Sequence, residues 1–145
     1  MRPSSRLTVA VHVLTLLAHG AGGDGPGPVT SGFIAGSVNT NPVVVRRLLA
    51  LLRRAGLVRS HGGPGGGWEL LRPAGRITLR DVYRAVEGEE LFPLHASTPN
   101  PRCPVGRTIQ SALVGHYREA RLAVERDLSR TTIAALVEEV RALAG

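Results

Sequence analysis

The sequence predicts a mainly α-helical chain with one small β-hairpin, and three observations support this fold class. Two short helical segments, 30–37 and 43–54, are separated by the tight turn 38–42. A glycine-rich tip at 61–67 joins two short strand-like segments. After Pro104, apolar residues recur every three or four positions over about seven helical turns, which predicts a long helix.

The N-terminal region, residues 5–19, predicts an apolar helix that is buried on most sides. Its basic start and apolar run resemble a signal peptide. The run is shorter than the roughly 20 apolar residues that span a bilayer, and His12 lies in its middle. We therefore expect an internal helix, no membrane segment and a cytoplasmic protein. A glycine- and proline-rich loop follows at 20–28.

The next two helices form the outline of a helix-turn-helix. Thr30 or Ser31 can cap the first of them, and Pro42 suits the first turn of the second. Gly56 is expected to end the second helix as its C-terminal cap. The apolar residues of this helix are expected to dock it on the core: Val44, Val45, Leu48, Leu49, Leu51 and Leu52.

The hairpin comes directly after the helix-turn-helix, with strands predicted at 57–60 and 68–71. A helix-turn-helix followed by such a hairpin is a winged helix. The glycine run at 62–67 lacks the Gly-Lys-Ser/Thr ending of a nucleotide-binding loop, and no suitable helix follows it. We expect the wing tip to lie close to a DNA backbone, where glycines allow close approach of N–H groups to phosphate.

The rest of the chain divides into a short helix, an irregular linker and a long helical region. Thr78 caps a predicted helix at 79–87, and four prolines prevent a long helix in 88–104. We therefore predict a winged-helix DNA-binding domain at 1–87 and a proline-rich sensor or linker loop at 88–104. Residues 105–145 hold a long dimerisation helix and, after a break near Ser129-Arg-Thr131, a C-terminal helix.

Charge is concentrated in the first part of the chain. Residues 1–80 contain ten arginines and two acids, whereas 81–145 contain eight arginines and nine acids. This asymmetry favours a polyanionic partner, and the aromatic content of 3% argues against a stacking platform for single strands. A single cysteine excludes an internal disulfide framework and a multi-cysteine metal site within one chain. No catalytic constellation is present, so we do not expect an enzyme, a metal or a cofactor.

The second helix of the helix-turn-helix is the expected recognition helix for double-stranded DNA. In its first turn, arginine can contact guanine and asparagine can contact adenine in the major groove, whereas later arginines suit phosphate. The ordinary alternative is an amphipathic helix whose arginines reach out to water. The predicted DNA-binding residues of the helix and the wing are Thr40, Asn41, Val43, Val44, Arg46, Arg47, Arg53, Arg54, Arg59, His61, Gly62 and Gly63.

The long helix carries an apolar stripe that something must cover. We expect the same helix of a second chain to cover it, because a winged helix that binds a palindrome usually acts as a dimer. The alternative is that helix 5–19 covers the stripe within one chain. The predicted dimer-interface residues are Val105, Ile109, Leu113, Tyr117, Ala120 and Val124.

Five segments together resemble the Rrf-two family of bacterial winged-helix transcription regulators, typified by IscR, NsrR and CymR. They are Ser5-Arg-Leu-Thr-Val-Ala-Val-His-Val-Leu14, Asn39-Thr-Asn-Pro-Val-Val-Val-Arg-Arg47, Arg54-Ala-Gly-Leu-Val58, Gly63-Pro-Gly-Gly-Gly-Trp68 and Asn100-Pro-Arg-Cys-Pro-Val-Gly106. The resemblance implies a homodimer held by the long helix, palindromic operator DNA and, usually, repression. An arginine that often precedes the Gly-Pro-Gly run is Gly62 here, so we expect His61 or Arg59 to take over part of its role.

The resemblance also bears on iron. Family members with an iron–sulfur cluster have three cysteines in the loop before the long helix. This chain keeps only Cys103, which looks like the third of them, and Gly106 stands where a ligating histidine can occur. The chain therefore resembles a branch without a conventional cluster.

Three functional alternatives stay open. Cys103 is a candidate sensor of oxidants or electrophiles, because the first turn of the long helix, Arg102 and Arg107 should favour its thiolate. Otherwise Cys103 is a buried apolar filler. A metal or cluster sensor could combine Cys103 with the partner subunit's His12, although His12 more simply fits a core or interface position. A winged-helix module for protein–protein contacts is the third alternative. The small-molecule or redox signal is not identified by the sequence.

Overall fold

A computed structural model of the chain describes residues 4–87 and 90–145, and in that part it is mostly helical with one antiparallel hairpin. This confirms the predicted fold class. In chain order the elements are α1 (Arg6–His19), α2 (Ser31–Val38), α3 (Pro42–Arg54), β1 (Val58–His61), β2 (Gly67–Leu70), a 3-10 turn (Ala74–Arg76), α4 (Leu79–Val86), α5 (Pro104–Leu128) and α6 (Ile133–Ala144).

One hydrophobic core holds α1, α2, α3, α4, the hairpin and α6 together. Leu14, Leu17, Leu49 and Leu52 lie at its centre and are fully buried. Ile133 brings α6 into the same cluster. None of the apolar residues buried in this core comes from α5. The long helix is therefore attached to the domain without being part of its core.

The predicted helix boundaries rest on local caps. Thr30 Oγ1 accepts a hydrogen bond from the Phe33 N–H at 3.1 Å, which starts α2. At the end of α3, Gly56 adopts a φ of +77°, which glycine reaches at no steric cost. The Leu57 N–H bonds to the Leu52 carbonyl and the Gly56 N–H to the Arg53 carbonyl, each at 3.0 Å. This pair of bonds is a Schellman motif, and it confirms Gly56 as the residue that ends the helix.

Both strands of the hairpin lie one residue nearer its tip than predicted, because β1 covers Val58–His61 instead of 57–60 and β2 covers Gly67–Leu70 instead of 68–71. The register pairs Val58 with Leu70 and His61 with Gly67. The Leu57 N–H is used by the end of α3, which explains why the strand begins one residue later. Two further hydrogen bonds of 2.8 Å join Trp68 to Val29, so the loop before α2 extends the sheet by one bridge.

The C-terminal helix α6 returns to the domain formed by the first half of the chain. The Leu79 N–H bonds to the Thr131 carbonyl at 3.0 Å, and the Ile133 N–H bonds to the Ile77 carbonyl at 2.8 Å. Helix α6 then packs against α1, which also contacts α4. The division of the chain at 87 and 104 stays a prediction. Ile133 and Val137 place α6 in the same hydrophobic core as the residues of 1–87.

The apolar stripe of α5 is only partly covered within the chain. Because α1 packs mainly against α6 and α4, it does not provide the cover that the single-chain alternative required. Val105 and Val124 are 66% and 37% exposed. The segment before the helix covers one edge of the stripe, where the Phe92 and Tyr117 rings lie 5.5 Å apart between centroids.

No helix in the described part of the chain is long and apolar enough to span a membrane.

Candidate nucleic-acid interface

Helix α3 has one face in the core and one face in solvent. Val45, Leu48, Leu49 and Leu52 are buried, at spacings of three and four residues, and they dock the helix. The predicted docking role is wrong for Val44, which is 39% exposed because it lies beside the buried row and not within it. After Pro42, the exposed face of α3 consists of Val43, Val44, Arg46, Arg47, Arg53 and Arg54.

This exposed face is positively charged, and no acidic side chain of the described residues pairs with it. Residues 25–68 contain five arginines and no aspartate or glutamate. Every arginine–carboxylate pair found within 4 Å in residues 4–87 and 90–145 involves an arginine outside α3. The four guanidinium groups of α3 therefore have no internal counter-charge there, and they are accessible to an external anion.

The first turn of α3 is held by Asn41. The Asn41 Oδ1 accepts a hydrogen bond from the Val43 N–H at 2.9 Å, and Pro42 occupies the first helical position. Sequence reasoning assigned Asn41 to adenine, but its carbonyl oxygen already serves as the cap of the helix. Thr40 is exposed next to it. In this arrangement Arg46 and Arg47 are the side chains of the first two turns with the greatest reach toward a base edge.

Two predicted DNA-binding residues of the wing share one carboxylate. Arg59 Nε donates a hydrogen bond of 2.6 Å to Glu69 Oε1, and His61 Nε2 bonds to the same oxygen. These bonds, from His61 first and then from Arg59, hold the pKa of Glu69 below its ordinary value. Glu69 thus neutralises part of the charge expected at the wing. The sequence analysis missed it, although Glu69 is the cross-strand partner of Arg59.

The wing glycines fall into two groups. A side chain on Gly67 would place its Cβ 2.5 Å from the Val29 carbonyl oxygen, and Gly66 would clash with the His61 carbonyl oxygen. The fold itself therefore requires glycine at these two positions. Gly62 lies in open space at the exposed tip, and the chain places no atom that would exclude a side chain there. Gly63 is exposed beside it, with a φ of +76°.

The junction between α4 and α5 contains a buried acid that the sequence analysis did not single out. Glu125 is 7% exposed, and its Oε1 accepts a 2.6 Å hydrogen bond from Arg84 Nε. Arg80 Nε lies 3.9 Å from the same oxygen, and Arg121 Nε lies 4.0 Å from Oε2. The bond from Arg84 keeps the pKa of Glu125 below its ordinary value. This cluster ties the winged-helix domain to the long helix.

Cys103 lies exposed at the start of α5, so the expectation of a buried filler is wrong. It is the N-cap of the helix, and its Sγ accepts a weak hydrogen bond from the Gly106 N–H at 3.5 Å. Arg107 is turned toward the backbone and donates to the Pro101 carbonyl at 3.4 Å. The thiol is accessible to reagents in solution.

His12 is not a core residue. It is exposed on α1, and its Nε2 is 2.9 Å from Ser37 Oγ.

A search against family models matches residues 3–139 to Rrf2, described as an iron-dependent transcriptional regulator. The chain belongs to the Rrf2 family. A candidate HTH-type transcriptional regulator of Bacillus subtilis strain 168, YwnA, is 42% identical over 131 residues, which are 90% of this chain and 92% of YwnA. Family and fold are those of transcriptional regulators, not of enzymes.

Solved structures show the same architecture. CymR, the global cysteine regulator of B. subtilis, superposes with a TM-score of 0.67 at 26% identity, and the match covers 96% of this chain and 98% of CymR. IscR of T. potens matches with a TM-score of 0.68 at 24% identity, over 97% of this chain and 88% of IscR, and it supports the fold alone.

The family description raises the question of iron, and the residues of one chain do not fit such a site. Within the described residues, no group of three or more histidine, cysteine or acidic side chains is arranged to hold a metal ion. A side chain at Gly106 would place its Cβ 2.7 Å from the Asn100 carbonyl oxygen, so this position has no room for a ligand.

Proposed function

We propose that this Rrf2-family regulator binds a palindromic operator in duplex DNA as a homodimer, with α3 in the major groove. The observation that carries the proposal is the exposed face of α3. Four arginines lie on it, and they have no carboxylate within 4 Å among the described residues. An arginine gives two hydrogen bonds to guanine in the major groove, so this face has the chemistry to distinguish bases.

Different parts of the interface take different roles in this proposal. Arg46 and Arg47 lie near the N-terminus of α3 and contact bases, whereas Arg53 and Arg54 lie in its last turn and contact phosphate. The wing tip approaches the phosphate backbone of the DNA at Gly62. Arg59 and His61 contribute less charge than their sequence suggests, because Glu69 holds them.

The proposed dimer is formed through α5. This helix has 25 residues, and against the rest of the described chain Glu125 is its only buried side chain. A helix of this length with an uncovered apolar stripe is stabilised by packing on another element. The second copy of α5 supplies that element, through Val105, Ile109, Leu113, Tyr117, Ala120 and Val124. The two winged-helix domains then meet two half-sites of a palindrome.

In this proposal the dimer acts in the cytoplasm as a repressor without a bound cofactor. Cys103 senses oxidants or electrophiles, because it is exposed at the junction between the linker and α5. Modification of the Cys103 Sγ removes the hydrogen bond that it accepts from the Gly106 N–H and shifts the start of α5. This shift changes the spacing of the two α3 helices in the dimer. Alkylation of the native protein, compared with a Cys103→Ser variant, tests this role. An unreactive thiol, or unchanged operator affinity after modification, would contradict it.

The DNA-binding role is tested by competition between duplexes at several salt concentrations. Arg46→Ala should cost about 1–3 kcal/mol and relax the preference at one position in each half-site. Arg53→Ala should weaken binding to all sequences alike and reduce the salt dependence. Arg141→Ala, on α6, is the matched control and should leave affinity unchanged. If Arg46→Ala and Arg141→Ala behave alike, α3 does not read the bases.

The same preparation separates the alternatives. Binding that is insensitive to salt, or absent for every duplex, would favour a protein–protein module. Iron in anaerobically purified protein, lost in both Cys103→Ser and His12→Ala variants, would favour a cluster shared with the partner subunit's His12.

A further inference from the structure

A pocket lies between the linker and α5, apart from the DNA-binding face and beside the proposed α5 interface, with which it shares Tyr117 at the edge. Its volume is about 360 Å³, within the range of sites for small organic ligands. Phe92 and Leu94 form one wall, and Val114 and Tyr117 of α5 form the other. The apolar body of a ligand can pack between these two walls.

The rim of this pocket is basic. Arg118 and Arg121 lie one turn apart on α5 and line it, together with Glu90 from the linker. Arg121 Nη1 is 3.5 Å from Glu90 Oε2, and the Glu90 side chain is 70% exposed. An exposed ion pair of this kind contributes little to stability, so another carboxylate can replace Glu90 at small cost. Among the described residues that line the pocket there are two arginines and one displaceable acid, and this excess of positive charge favours an anion at the rim.

We infer that this pocket binds small aromatic or branched aliphatic carboxylates and that the bound ligand changes the affinity of the regulator for DNA. The apolar body rests against Phe92 and Tyr117, and the carboxylate replaces Glu90 at Arg121. The binding step depends only on the pocket. The regulatory step rests on the proposed DNA-binding function.

The route from the pocket to the DNA-binding domain is short. Arg121 also lies 4.0 Å from Glu125, which accepts the hydrogen bond from Arg84 of α4. A carboxylate that draws Arg121 toward the pocket weakens its hold on Glu125. The linker that carries Phe92 joins α4 to α5 along the chain, and the ligand also contacts it through Phe92. In this proposal the shifts of Arg121 and of the linker alter the position of α5 relative to the winged-helix domain.

Calorimetric titration of the full chain without DNA tests the binding step. The probes are phenylacetate, benzoate and 4-methylpentanoate, with phenylacetamide as the neutral match of phenylacetate. At least one carboxylate should bind, and phenylacetamide should bind at least about tenfold more weakly than phenylacetate because it lacks the charge. Failure of all three carboxylates to bind at millimolar concentration, or equal binding of acid and amide, would overturn the proposal.

Variants locate the site. Val114→Trp fills the pocket from a position that is 56% exposed, so the core is not disturbed. It should weaken carboxylate binding at least about tenfold, as should Arg118→Gln. Arg130→Gln is the control, because Arg130 is exposed and pairs with Asp127 away from the pocket. Unchanged binding by Val114→Trp would place the ligand elsewhere and refute the assignment.

A second titration, with the DNA preferred in competition, tests the regulatory step. Saturating carboxylate should change DNA affinity in the wild type and not in Val114→Trp. If ligand binds but DNA affinity stays the same, the regulatory step is wrong. If no duplex is bound with or without ligand, the proposed function fails, while ligand binding to the pocket stands on the first titration.

Discussion

Replacing Glu125 by glutamine removes a buried charge without changing the size of the side chain. The structure predicts a moderate loss of stability. The change replaces the ion-paired hydrogen bond of 2.6 Å from Arg84 by a bond from the same charged guanidinium to a neutral amide oxygen. Part of the roughly 1.5–3 kcal/mol that a hydrogen bond to a charged group contributes is therefore lost. The side chains of Arg80, Arg84 and Arg121 are 38%, 54% and 39% exposed, so water screens their mutual repulsion.

The expected loss for Glu125→Gln is therefore about 1–3 kcal/mol, below the roughly 3–5 kcal/mol of a fully buried pair that loses one partner. Urea unfolding followed by circular dichroism measures this loss, and the melting temperature should fall by roughly 2–4 °C for each kcal/mol. Glu119→Gln, at an exposed position of the same helix, is the control and should match the wild type. A Glu125→Gln protein as stable as Glu119→Gln would show that the arginine cluster does not hold α5 to α4.

Three further predictions concern acid, the wing and the dimer. The pKa of Glu125 is lower in the folded chain than its ordinary value of 4.5. The ionised Glu125 therefore stabilises the fold above pH 4.5, and this stabilisation is lost as the pH falls through the lowered pKa. In thermal unfolding, wild type should lose more stability than Glu125→Gln between about pH 6 and pH 3. Gly67→Ala should lower the melting temperature, because the added Cβ collides with the Val29 carbonyl oxygen. Gly62→Ala should fold normally and weaken only DNA binding, because no atom of the described chain lies near that position. Equal stability of the two variants would contradict these separate roles of the wing glycines. Leu113→Asp puts a charge into the apolar stripe of α5, so the variant should be monomeric in sedimentation and should not bind the operator in DNA titration. A dimeric Leu113→Asp protein, or a monomeric wild type at micromolar concentration, would refute the α5 interface.

Features that depend on neighbours in sequence could be predicted. The cap at Thr30, the proline start of α3 and the glycine end at Gly56 are each decided within a few residues, and the structure confirms them. The capping box between Thr78 and Asp81 is likewise local. The exposed arginine face of α3 follows from the same helical period that buries Leu48, Leu49 and Leu52.

Features that depend on distant contacts were missed. Arg84 and Glu125 are 41 residues apart, and no local pattern shows that α4 and α5 bring them together. The bond between Arg59 and Glu69 crosses the hairpin, and the sequence analysis did not consider which residues of the two strands lie opposite each other. The placement of α6 against α1 also depended on long-range packing. The sequence periodicity showed that α6 has an apolar face but not which element covers it.

We propose that this regulator reads duplex DNA through α3 as a dimer. Selection of bound sequences from a pool of random duplexes, by the 145-residue chain at moderate salt, is the decisive experiment. We expect enrichment of one palindromic sequence whose two half-sites are separated by about one helical turn or a multiple of it. We also expect Arg46→Ala to select a pool with one relaxed position in each half-site. A wild-type pool that stays random, or an enriched site without two-fold symmetry, would contradict the claim.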